Sequence, residues 1–102
     1  MEILTTHLES IKGLCRTNAV KSLFAFGSVT TDKFNDESDI DLVVDIEDQD
    51  PISYSDKYFN LKFALEDLLH RKIDLLEERA IRNPLFKQQL NKKKVLIYGN
   101  GN

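Results

Sequence analysis

The chain has 102 residues, of which 41% are hydrophobic and 30% charged, with a net charge of −3. That is the size of one domain with apolar residues enough for a core. Its mixed charge argues against a dedicated nucleic-acid binder, which would show a basic face. No apolar run nears the roughly 20 residues of a membrane span.

In chain order, Ile3 to Arg16 reads as a helix, with Leu4, Leu8, Ile11 and Cys15 on one stripe. Thr6 and Glu9 have capping-box spacing, so the helix start is either there or at Glu2. Leu23 to Phe26 reads as a strand ended by Gly27, and Ser28 to Lys33 as a short helix. Ile40 to Ile46 is a second strand, apolar on both faces at Leu42, Val43 and Val44, as an interior strand would be. Ser53 to His70 is the longest helix, with Ser53 and Asp56 at capping-box spacing and Tyr58, Leu61, Leu65, Leu68 and Leu69 on one face. Tyr54, Tyr58 and Phe59 are candidates for a partner-facing surface. Ile73 to Leu76 is a third strand. Asn83-Pro84 opens a helix whose Leu85, Phe86 and Leu90 are expected to face inward. Val95 to Tyr98 is a fourth strand, and 99–102 a loose tail.

This alternation predicts an α/β (α+β) fold: one small domain over 1–102, with a mixed central sheet of about four strands flanked by helices. Cys15 lies on the apolar stripe and reads as a core residue, and alone it permits no internal disulfide. His7 has no histidine or cysteine near it with which to bind a metal. MEILTTHLES lacks the regions of a signal peptide, so a cytoplasmic location without membrane attachment is expected.

The chemistry gathers between Phe24 and Asp45. Residues two apart in a strand share a side, so Asp39 and Asp41 present two carboxylates together. Such a pair is costly unless a cation sits between them. Magnesium takes oxygen ligands and is held by one or two carboxylates plus substrate phosphates. Gly27 allows a phosphate close to the backbone, and Ser28 adds a hydroxyl donor. Asp74, in an apolar strand, is a third acid if that strand pairs beside the second. There it would complete a second metal site or take a proton from an attacking hydroxyl. Glu77 and Glu78 are alternative sources of that acid. The bland readings are a solvated turn at Asp39 and Asp41 and an ordinary serine-capped turn at Gly27-Ser28. Lys92, Lys93, Lys94, Arg71 and Lys72 read as positive charge suited to helix ends, with a phosphate- or partner-binding role as the minor alternative.

Gly27-Ser28, ten residues, then Asp39-Ile40-Asp41 resembles the signature of nucleotidyltransferases of the DNA polymerase β superfamily. The Asp74 strand KIDLLEE, and Asn83-Pro84 followed by a helix and VLIYG, are similar to its minimal nucleotidyltransferase group. The resemblance covers nearly the whole chain. It implies a compact polymerase β-like fold and two magnesium ions. It implies that Asp39, Asp41 and Asp74 bind the metal and that Gly27 and Ser28 hold the triphosphate of ATP. It also implies a partner, because minimal nucleotidyltransferases act as antitoxins that transfer AMP onto a tyrosine of a HEPN-domain toxin. The alternatives are neutralisation by binding alone, or nucleotide transfer to a small molecule such as an antibiotic. One departure stands out: many relatives read GSRARG where this chain reads GSVTTD. Val29 and Thr31 replace two arginines, and Asp32 replaces a glycine.

Overall fold

The computed structural model describes residues 1–99; the last three residues of the expected tail lie outside that range. Four strands form one sheet: β1 (Val20–Phe26), β2 (Ile40–Ile46), β3 (Ile73–Glu77) and β4 (Val95–Gly99). Their spatial order is β3-β2-β1-β4, with β1 antiparallel to β2 and β4, and β2 parallel to β3. The helices are α1 (Glu2–Thr6), α2 (Leu8–Thr17), α3 (Pro51–Leu69) and α4 (Pro84–Lys93). The mixed four-strand sheet flanked by helices is the α/β architecture expected, with Gly99 the last residue of β4 and not part of a tail. Among the described residues, no helix is long and apolar enough to cross a membrane.

The sheet sits where its composition requires. Leu42, Val43 and Val44 are all at most 2% exposed, because β2 has a strand on each side and apolar residues over each face. One face packs with Ile11, Cys15, Leu61 and Leu65 of α2 and α3 in the main core. The other face carries a smaller cluster of Phe24, Val43 and Leu90 of α4. Each fully buried leucine or isoleucine contributes about 1.5–3 kcal/mol. Burial pushes the Cys15 thiol up to about 12, so it is an inert core group.

The parallel pairing of β2 and β3 is what α3 makes possible, since parallel neighbours need a long crossover. Its start differs from the expected capping box. Asp50 accepts from Ser53 N at 3.0 Å and Pro51 begins the helix, while the Ser53 hydroxyl donates to Asp48. α3 ends at His70, which takes the left-handed conformation at φ 55° and turns the chain back into β3.

Three further expectations are corrected. The first helix is two, broken at His7, and no side chain caps α2, so the Thr6–Glu9 box is not made. The broken first turn is tied elsewhere: the Met1 amine donates to Val29 O at 2.8 Å. In α4, Asn83 caps as expected, its Oδ1 accepting from Leu85 N at 2.9 Å and Phe86 N at 3.1 Å. Yet Leu85 is 72% and Phe86 39% exposed, and Leu90 is the residue that reaches the sheet.

Candidate active site

β1 delivers the chain into a four-residue 3-10 turn, Gly27–Thr30, shorter than the helix to Lys33 that the sequence predicts. Gly27 has φ +72°, and a Cβ there would collide with Asp41 Oδ2 and lie 3.3 Å from its Cγ. Glycine is therefore required twice, for the backbone and for the carboxylate beside it. The turn is stapled from within. The Thr30 hydroxyl donates to Gly27 O at 2.8 Å, and the Thr31 hydroxyl and amide both donate to Ser28 O at 2.9 Å. Val29 is fully buried. The two positions that carry arginine in many relatives are thus a core plug and a turn staple here.

Asp41, second in β2, lies in register with Phe26 on one side and with Asp74 of β3 on the other. In paired strands, registered residues face the same side of the sheet, so the two carboxylates meet there. Burial, then the charges of Asp74 and Asp39, and a side-chain hydrogen bond with Asp74 all push the Asp41 carboxyl above its usual range. Asp39 lies just before the strand and is exposed. The rival acids lie elsewhere. Glu77 pairs with Val44, three rungs and roughly 10 Å along the strand, and Glu78 opens the turn that follows.

As placed, Asp41 and Asp74 are together, and Asp39 acts on Asp41 through its charge. Among the described residues, no three His, Cys, Asp or Glu side chains are gathered closely enough to hold a metal ion unaided. Of the three acids expected together, Asp41 and Asp74 share a rung, and Asp39 does not complete a three-carboxylate cluster with them. The donor set nonetheless fits magnesium. It is all oxygen, it is short of compensating charge, and it leaves coordination positions to phosphate and water.

Sequence reasoning missed Arg71, which it assigned to a helix end. Its guanidinium lies 4.5 Å over the Phe34 ring and donates to Asn35 O at 2.7 Å and to Ser38 O. The available signal was Phe34, a lone aromatic in a polar loop. Phe26, flanking Asp41, meets Phe86 edge-on at 6.2 Å, so an aromatic wall lies beside the acid pair. The surface expected from Tyr54, Tyr58 and Phe59 is only partly available. Tyr54 is buried beneath Arg79, 4.1 Å over its ring, and the Tyr58 hydroxyl donates inward to Leu75 O at 2.5 Å. Phe59 is exposed, stacked on exposed Phe63 at 5.9 Å.

A family model described as polymerase beta, nucleotidyltransferase, matches residues 9–102. A Methanocaldococcus jannaschii protein, provisionally named a protein adenylyltransferase, is 35% identical over 97 residues, covering 95% of this chain and 91% of the relative. A solved structure provisionally described as a minimal nucleotidyltransferase matches with a TM-score of 0.77 at 29% identity, covering 92% of each chain. A toxin–antitoxin complex solved with AMP-PNP contains a chain that matches at TM-score 0.70 and 25% identity, over 91% of this chain and 73% of that one. Motif, sheet order and near-complete coverage agree: this chain belongs to the polymerase beta nucleotidyltransferase family, among its minimal members.

Proposed function

We propose that this nucleotidyltransferase moves AMP from ATP onto a hydroxyl, a tyrosine, of a HEPN-type toxin and acts as its antitoxin. The observation that carries the reading is the Asp41–Asp74 rung, set against the Gly27 turn and with no salt bridge to a cation among the described residues. Asp39, Asp41 and Asp74 would hold two magnesium ions, and Gly27 and Ser28 the triphosphate. Bound magnesium supplies charge neutralisation on the phosphates. The acceptor oxygen bonds to the α-phosphorus, the bond from that phosphorus to the bridging oxygen breaks, and pyrophosphate leaves. Asp74, the exposed member of the pair, takes the hydroxyl proton. The reading is supported by the relative named as a protein adenylyltransferase and by the AMP-PNP complex of a toxin and antitoxin.

The test incubates the chain with labelled ATP, magnesium and the protein encoded by the neighbouring gene. A mass gain of one AMP on that protein is expected. Asp39→Ala with Asp41→Ala should abolish the gain and leave partner binding intact. A second reading, neutralisation by binding alone, is favoured by the uncharged Val29 and Thr31 and by the exposed Phe59–Phe63 stack. Full neutralisation by the double variant, without mass gain in the wild type, would select it.

A further inference from the structure

We infer that Arg71 is a positioning residue for Asp39, clamping the loop before β2 so that this otherwise unsupported acid faces the Asp41–Asp74 rung. The inference rests on the proposed function and extends it to a residue outside the motif. Asp39 is exposed, lies outside any strand, and its carboxylate makes no hydrogen bond or ion pair among those of the described residues. Its orientation must come from its backbone, which is held at both neighbouring peptide groups.

A peptide unit is planar, so a hydrogen bond to its C=O or N–H restrains the orientation of the whole unit. The unit before Asp39 contains the Ser38 carbonyl, which accepts from Arg71 Nη2. The unit after it contains Ile40 N, which donates to Lys72 O at 3.0 Å. Neighbouring residues 71 and 72 thus hold both peptide units that flank Asp39, one through a side chain and the other through the backbone. With both units restrained, the range of φ and ψ open to Asp39 is narrowed.

The rest of the loop is drawn into the same clamp. The Arg71 nitrogen that holds Ser38 also holds Asn35 O at 2.7 Å, and the guanidinium carbon lies 4.5 Å from the Phe34 ring centroid. The stretch between is closed on itself: Ser38 N donates to Asn35 O at 3.1 Å, Asn35 N to Ser38 Oγ at 3.2 Å, and Glu37 N to Asn35 Oδ1 at 2.9 Å. Arginine suits this role, since one terminal nitrogen serves two carbonyls while the delocalised guanidinium lies over a ring; lysine lacks the plane. The left-handed His70 brings Arg71 to the start of β3, next to the start of β2. Groups that orient a ligand from behind typically matter 10–100-fold in metal affinity or activity.

The test uses the full chain with Arg71→Gln and Arg71→Lys, and manganese as a paramagnetic probe of metal binding. Without metal, amide hydrogen exchange in Arg71→Gln should rise at residues 35–39 and stay unchanged in β1. Manganese should bind about tenfold or more weakly, with Arg71→Lys intermediate. In AMP transfer, the magnesium requirement should rise and the KM for ATP hold within about twofold. In an Asp39→Asn background, Arg71→Gln should add no further loss, because residues acting as a unit are not additive. Unchanged exchange at 35–39, additive losses, or a raised KM for ATP with unchanged metal binding would each overturn the clamp. A wild-type chain that binds no manganese and transfers no AMP would overturn the functional reading itself. Wild-type binding matched by Arg71→Gln would overturn the clamp alone.

Discussion

The two ends of the β2–β3 pair carry the same kind of residue and treat it in opposite ways. At the far end, the chain supplies its own cations. Arg79 stands 3.7 Å from Asp45 and donates to Ile46 O at 2.5 Å. Lys57 and Ser53 both donate to Asp48 and hold its carboxyl down to about 2. At the near end, Asp41 faces two other acids and is pushed up. An acid that only has to hold a fold is given a partner; under the proposed function, the crowded acids take their compensating charge from a ligand.

Replacing the crowded acid should produce the largest effect. Asp41→Asn is expected to lower AMP transfer by about a hundredfold or more. Urea unfolding of the same variant should show stability held or increased, since a repelling charge has gone. A loss of stability would mean that the rung is structural, and the contrast between the ends would fail. Gly27→Ala comes next. The left-handed backbone and the meeting with the Asp41 carboxylate should cost about 1–3 kcal/mol in denaturant unfolding, and transfer should fall with it. Asp48→Asn should give the smallest effect: transfer within about twofold and a slightly lower urea midpoint.

The sign of pH dependence sharpens the same comparison. Asp48 titrates below its ordinary 3.8, so its contribution to stability is present above about pH 4 and fades as pH falls toward about 2. Asp41 titrates above 3.8, so its contribution is present below that value and lost as pH rises through the raised one. Carboxyl chemical shifts followed by NMR would read the two directions in one titration.

Much of this was legible in the sequence, for physical reasons that also explain what was not. The bounds of β2 were readable because an interior strand is apolar on both faces. The start of α4 was readable because Asn-Pro is a cap that works through its immediate neighbours. The closeness of Gly27 and Asp41 could be anticipated because both belong to one short strand-turn-strand stretch. Arg71 could not, since its partners lie 33 and 36 residues away and are met only once α3 has turned at His70. Tyr54 shows the same limit. Its helical position did not reveal that Arg79, from beyond β3, would cover its ring. Val29 reads as a missing arginine when set against relatives, and as a core plug when its burial is seen.

The crossover through α3 has a consequence in time. The antiparallel pair of β1 and β2 is local and brings together Phe26, the glycine turn and Asp41. Asp74 joins them only when β3 docks in parallel, a distant loop closure that slows folding relative to local pairing. A chain that has formed its hairpin and not yet docked β3 holds half a rung. Onset of transfer activity during refolding would therefore mark the docking of the sheet's edge strand, not the collapse of the core.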